Sequence, residues 1–282
     1  MRAAVLGSPV AHSLSPVLHT AAYRELGLAE WSYGAIECDE AGLPALLGSL
    51  GPGWAGLSLT MPLKRAVLPL LDHADSLVDE VGGANTVLLA GGSRAGYNTD
   101  VPGMITALRQ AGVSLDGPVL LLGAGATACS AVSALRRAGA AGVTVAVRNR
   151  DTAGPLLDLA GRLGMQAELV EFDPDQARGG WLARSDRPWR LLLSTVPAGV
   201  ADGYARLVAD GDLPVMTVFD VIYHPWPTPL AAAARAASIE VISGFELLLQ
   251  QAAEQVRLMT GLEPPVDAMR SAGLDALRQR AG

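Results

Sequence analysis

Lys64, in the stretch SLTMPLKRAV, is the only lysine of the chain, and the other 20 of its 21 Lys and Arg residues are arginines. Arginine stays protonated at any workable pH, whereas an ammonium can release and regain a proton. Keeping one lysine in such a chain points to proton transfer at that position. An arginine-biased coding composition that leaves a lone lysine by chance is the alternative. Other polar residues stand out from the apolar background. HSLSP sets Ser13 and Ser15 two residues apart, so both hydroxyls face one side if the segment is extended. LSLTMPLK adds Thr60, and ANT and YNTD add Asn85, Asn98 and Asp100, which include two of the chain's three asparagines. Hydroxyls, carboxamides, a carboxylate and an ammonium suit a small polyhydroxylated ligand. Each residue also has a plainer role: Ser15 as N-cap of a helix beginning at Pro16, Asn98 and Asp100 as turn formers. Their joint occurrence at strand ends favours a site.

A second group lies in LLLGAGATA. Gly123, Ala124, Gly125, Ala126 and Thr127 follow a buried strand pattern and open an amphipathic helix. Gly123 permits the tight turn, Gly125 lets backbone approach a pyrophosphate, and Ala128 fills the third fingerprint position. A structural turn is the competing reading. The next strand ends in VAVRNRD, where an NAD site would place a carboxylate for the ribose hydroxyl. Arg148, Asn149 and Arg150 stand there instead, which suits a 2′-phosphate and hence NADP. Asp151 is a complication, since it could pair with one of the arginines.

These residues need elements to hold them. Residues 1–101 alternate strand-like AAVLG, WSYGAIEC and WAGLSLTMP with helical SPVLHTAAYRELG and LKRAVLPLL, and ANTVLLAGGSRAGYNTD has the pattern of a hairpin. Residues 102–237 read as a doubly wound parallel sheet: buried strand, glycine turn, helix, then GVTVAVRN, AELVEF, WRLLLSTV and VMTVFDVIY. Residues 238–282 end in two helical segments expected to pack back on the first domain. The fold class is thus α/β, with a substrate domain and a Rossmann-type domain. Half of the 282 residues are apolar and 17% are charged, enough for large cores. The formal charge of −7 and the lack of a basic stripe argue against a nucleic-acid partner. No apolar run spans a membrane, and MRAAVLGSPV has no signal-peptide core, so a cytoplasmic location is expected. Cys38, Cys129 and four scattered histidines give no ligand spacing, and no metal is expected.

Taken together, GSPVAHSLSPVLHTAAY, LSLTMPLK, GGANTV, GYNTDVPG, GAGATA, STVPAG, DVIYHPWPTPL and GFELLLQQAAEQVRLMTG resemble, in order and spacing, the shikimate dehydrogenase family. The resemblance runs over nearly the full chain. It implies NADPH-dependent reduction of 3-dehydroshikimate to shikimate in aromatic amino acid biosynthesis. Ser13, Ser15, Thr60, Asn85, Asp100 and Gln251 match substrate-binding positions, and Lys64 and Asp100 the catalytic pair. Tyr223 falls in a motif that helps close the substrate site. Thr195, Val221 and Gly244 lie in segments that contribute to the cofactor site. On this basis Ser13 and Ser15 hold the substrate carboxylate, Thr60, Asn85 and Gln251 fix ring hydroxyls, and two domains bring nicotinamide and substrate together across a cleft. The chain departs from the family at Ser58, often Asn, at Gly125-Ala126, often Gly-Gly, at Leu247, usually Met, and at Val147-Arg148-Asn149, usually Asn-Arg-Thr. The last departure bears on the preference for NADP. A quinate/shikimate dehydrogenase preferring NAD, an aminoshikimate-pathway relative and a non-catalytic shikimate sensor stay open, as does a homodimer.

Overall fold

The computed structural model describes residues 1–182 and 187–281. In chain order the first part comprises β1 (Arg2–Gly7), α1 (Ser15–Glu25), β2 (Ser32–Glu37), α2 (Leu43–Ser49), β3 (Trp54–Leu59), α3 (Leu63–Ala66), β4 (His73–Ala74), α4 (Ser76–Val81), β5 (Thr86–Ala90), β6 (Ser93–Tyr97) and α5 (Asp100–Gln110). There follow β7 (Val119–Leu122), α6 (Ala126–Arg137), β8 (Gly142–Val147), α7 (Gly154–Arg162), β9 (Gln166–Glu171), α8 (Pro174–Gly179), β10 (Leu191–Ser194), α9 (Asp202–Ala209), β11 (Thr217–Asp220), α10 (Pro229–Ala236) and β12 (Glu240–Ser243). The chain ends in α11 (Gly244–Thr260) and α12 (Val266–Ala281). These elements form two compact units. One is Met1–Gly103 with the chain from Leu248 onward, and the other is Met104–Leu247.

The first unit carries a mixed six-stranded sheet in the order β2-β1-β3-β5-β6-β4. β1 pairs in parallel with β2 and β3, while β5 runs antiparallel to β3 and β6. The β5–β6 hairpin closes through Gly91 and Gly92, whose φ of 59° and 85° is the backbone a two-residue type I′ loop requires. From Leu248 the chain covers this sheet. A Cβ at Gly56 of β3 would sit 3.2 Å from Met259 of α11 and 2.8 Å from the Val87 carbonyl, so glycine here sets how closely helix and strands approach. α12 lies along α1, and Arg280 donates 2.7 Å to the carbonyl of His12.

The second unit carries six parallel strands in the order β12-β11-β10-β7-β8-β9. This is the doubly wound order: the two halves diverge from β7 and β10, and the crevice at their carboxyl ends is where such sheets bind ligands. VLLL of β7 and LLLS of β10 are buried throughout, without alternation, as strands covered on both faces must be. The α/β class expected from sequence holds. The expected end of this unit at residue 237 does not. β12 pairs with β11, so the unit runs to Leu247 and the change to the first unit falls inside α11. Among the described residues no helix is long and apolar enough to cross a membrane.

Candidate active site

Lys64 stands on the short helix α3, directly after β3, and Asp100 opens α5 after the hairpin. Their side chains meet at 2.5 Å, Nζ to Oδ2, with the lysine side chain 15% and the aspartate 6% exposed. The other carboxylate oxygen, Oδ1, accepts 2.9 Å from Asn85 Nδ2. Asn85 immediately precedes β5, its backbone bonded to Leu59 of β3 and to Tyr97 of β6. Its own oxygen accepts from the Thr99 backbone N–H at 2.8 Å and from Thr86 Oγ1 at 3.0 Å. Its amide also donates to Thr99 Oγ1 at 2.9 Å and approaches Gln251 Oε1 of α11 at 3.4 Å. A buried carboxylate is thus held from two sides, by a cation and by a carboxamide that is itself held by Thr86 and Thr99. Thr60 follows Leu59, whose N–H donates 2.7 Å to the Asn85 carbonyl. The Thr60 hydroxyl has no hydrogen-bond partner among the described residues.

Asn98 plays the plainer role: its Oδ1 accepts from the backbone N–H of Asp100 and Val101, and its Nδ2 donates to the Gly83 carbonyl. Asp100 does not, since its carboxylate is engaged by Lys64 and Asn85. The serine pair departs from the geometry expected for it. Leu14 between them is helical, with φ −90° and ψ −6°, so the segment is not extended. Ser15 is not the N-cap; it is the first residue inside α1, and Ser13 Oγ accepts its N–H at 3.2 Å. Ser15 is buried, as is Tyr33, whose phenol burial pushes well above its ordinary pKa and whose hydroxyl donates to Ser58 Oγ. Sequence reasoning overlooked Thr99 and Gln255. Thr99 lies between two residues already singled out, and Gln255 lies one helical turn beyond Gln251, which is the signal that could have found it.

In the second unit, β7 leads into Gly123, with φ +102°, where a Cβ would lie 3.0 Å from both Thr195 Oγ1 and Val196 Cγ1. Thr195 Oγ1 donates 2.8 Å to the Leu122 carbonyl and so closes the turn from the β10 side. Gly125, Ala126 and Thr127 form the start of α6. Gly125 is the N-cap and offers no side chain to the first-turn N–H groups, and a Cβ there would meet nothing within 4 Å. A first turn without a side-chain cap on a twelve-residue helix, next to the β7–β10 crevice, fits the pyrophosphate of a dinucleotide. Gly244 is fixed by packing: a Cβ would run into the Val221 carbonyl, and Gly244 N–H donates 3.2 Å to the Ile222 carbonyl. Tyr223 lies in the loop that follows β11, within the same unit.

At the tip of β8 the three polar residues diverge. Arg150 Nη2 turns back to the Leu169 carbonyl at 2.9 Å, and Asn149 Oδ1 accepts from the Asp151 N–H. Arg148 is exposed and has no protein partner among the described residues. Asp151 forms no ion pair among them; its backbone N–H donates to Asn149 Oδ1. Val147 is buried.

Residues 5–87 match the family model described as Shikimate dehydrogenase substrate binding domain, and residues 244–272 match the one described as Shikimate 5′-dehydrogenase C-terminal domain. A shikimate dehydrogenase (NADP(+)) of Thermus thermophilus is 37% identical over 278 residues, which cover 98% of this chain and 99% of its own. The chain belongs to the shikimate dehydrogenase family. A crystal structure of the Mycobacterium tuberculosis shikimate dehydrogenase superposes with a TM-score of 0.86 at 43% identity, covering 97% of this chain and 99% of that one. A Thermus thermophilus shikimate 5-dehydrogenase in complex with NADP(H) and shikimate gives a TM-score of 0.82 at 36% identity, covering 98% of this chain and 100% of that one.

Proposed function

We propose that this member of the shikimate dehydrogenase family catalyses reversible, NADP-dependent interconversion of shikimate and 3-dehydroshikimate, a step of aromatic amino acid biosynthesis. The observation that carries the reading is the Lys64–Asp100 pair, joined at 2.5 Å and locked by Asn85. When bound, NADPH supplies the hydride that reduces the C3 carbonyl. Lys64 then serves the other half of the reaction: its ammonium stabilises the charge that grows on the carbonyl oxygen and delivers the proton. Asp100 holds Nζ in place through Oδ2. Thr60, Asn85 and Gln251 orient the ring hydroxyls, Ser13 and Ser15 hold the carboxylate, and Tyr223 helps close the site. Gly123, Ala124, Gly125, Ala126, Thr127, Thr195, Val221 and Gly244 take the dinucleotide. Arg148 binds the 2′-phosphate, with Asn149 and Arg150 shaping the strand end that presents it. The same reading places the enzyme in the cytoplasm, where the buried thiols of Cys38 and Cys129 stay reduced.

Initial rates with shikimate and with quinate, each with NADP and with NAD, test the reading. The expected order puts shikimate with NADP first. Preferential turnover of quinate with NAD would replace it by the quinate/shikimate alternative, and tight shikimate binding without turnover by a sensor.

A further inference from the structure

Behind the Lys64–Asp100 pair runs a buried hydrogen-bond chain to which the reaction assigns no part. Its centre is Gln255 of α11, 1% exposed. Gln255 Nε2 donates to the Asn85 backbone carbonyl at 3.3 Å and to Thr86 Oγ1 at 3.0 Å. Gln255 Oε1 accepts from Ser58 Oγ at 2.8 Å and lies 3.3 Å from His19 Nε2. A backbone carbonyl only accepts, so the contact with Asn85 fixes which end of the Gln255 amide points where. The rest of the chain then acquires a direction. Ser58 donates to Gln255 and takes its own hydrogen bond from Tyr33 Oη at 2.5 Å. On the other side the Thr86 hydroxyl receives from Gln255 and donates to Asn85 Oδ1, which leaves the Asn85 amide hydrogens to face Asp100 and Thr99. Ser58, Asn85, Thr86 and Gln255 are all buried, so water does not compete for these bonds.

We propose that Gln255 is a positioning residue of the active site: through Thr86 and the Asn85 carbonyl it sets the rotamer and amide orientation of Asn85, and thereby the place of Asp100 and Lys64. Asn85 has a short side chain whose two ends look alike in shape and differ only in their hydrogen bonds. Without the Thr86 hydroxyl oriented by Gln255, Asn85 Oδ1 loses one of the donors that hold it, and the amide is free to turn its oxygen toward the Asp100 carboxylate. That contact is repulsive and displaces Asp100 from Lys64. Gln255 touches neither substrate nor cofactor; it acts through Asn85.

The proposal rests on the reaction given above for its kinetic consequence, but not for its structural one. Because Lys64 is the only lysine, protein labelled with ¹³C at the lysine ε-carbon gives one lysine resonance, read without substrate or cofactor. In Gln255→Leu that resonance is expected to shift from its wild-type position. kcat for shikimate oxidation is expected to fall roughly 10- to 100-fold, the scale of a misplaced catalytic group, while KM for NADP stays unchanged. Thr86→Val removes the relay hydroxyl at nearly constant volume, and it is expected to reproduce both effects if Gln255→Leu fails to fold. A folded variant with the wild-type Lys64 resonance and wild-type kcat overturns the proposal. Should wild type turn over no shikimate while the variant still displaces the resonance, the substrate assignment fails and the positioning role stands.

Discussion

A guanidinium at position 64 would keep the charge beside Asp100 and lose the labile proton, which makes Lys64 the residue at which the mechanism is most exposed to test. Lys64→Ala is expected to lower kcat roughly 10²–10⁴-fold, with a much smaller rise in shikimate KM. Lys64→Arg retains the ion pair and is expected to recover little of this loss. An arginine variant of near-normal kcat would reduce the role of the position to charge alone. The same logic applies at Arg148. Of the two arginines at the tip of β8 it is the one without a protein partner among the described residues, since Arg150 is turned to Leu169. Arg148→Ala is expected to weaken NADP by about 1.5–3 kcal/mol, the scale of a charge-assisted hydrogen bond, and to leave NAD nearly untouched. kcat/KM with each cofactor decides it: equal losses would move Arg148 from the 2′-phosphate to the fold or the adenine.

At the level of elements, two glycines that look alike in sequence do different work. Gly125, the N-cap of α6, has φ −77° and open space where a Cβ would go. Gly125→Ala is therefore expected to leave the melting temperature within about two degrees while weakening NADP about tenfold or more, because the added methyl stands where the pyrophosphate must approach. Gly244 has no such room: its Cβ would collide with backbone at Val221 and Ile222. Gly244→Ala is expected to cost stability first, with thermal unfolding as the readout, since β12 cannot pass into α11 without shifting the Val221–Ile222 segment. A Gly125→Ala protein that unfolds readily, or binds NADP normally, would separate the turn from cofactor binding.

On the scale of the whole molecule, the two units carry buried titratable groups of opposite sign. His19, in the first unit, is wholly enclosed, stacked on Tyr33 at 3.9 Å, and burial lowers its pKa to about 3 against the smaller opposing effect of the Gln255 hydrogen bond. In the unfolded chain it titrates near 6.5, so the unfolded state binds the extra proton as pH falls and stability is lost across that window. Between pH 7 and pH 5 the loss is about 2 kcal/mol, set by the unfolded value because the folded one lies well below 5. Asp220, in the second unit, is raised by burial, with hydrogen bonds from Thr228 and Ile222 opposing the shift. Its contribution runs the other way: it favours the folded state at low pH and fades as pH rises through the folded value. Hydrogen exchange at pH 7 and pH 5 is expected to show protection falling preferentially in residues 1–103, and His19→Phe is expected to flatten that dependence. An unchanged pH slope in the variant would remove His19 as its cause.

Much of this was legible before any tertiary contact was known, and the reason is local. The glycine turn, the buried runs of β7 and β10 and the Gly91–Gly92 hairpin are set by neighbouring residues, so spacing suffices to read them. Lys64 and Asp100 stood out by type. The partners that lock them did not, because they come from distant parts of the chain: Ser58 meets Gln255 across 197 residues and His19 meets Gln255 across 236. Hydroxyls and amides carry no periodicity, and their value depends on which donor faces which acceptor. Ser15 lies inside α1 rather than capping it, and Arg150 faces Leu169 rather than outward, because backbone dihedrals and the adjacent strand decide where those side chains point. The sequence by itself singled out the groups proposed for the chemistry; only the packing of α11 on the sheet decided how they are held, since a hydrogen-bond network has a direction only once all of its members are in place.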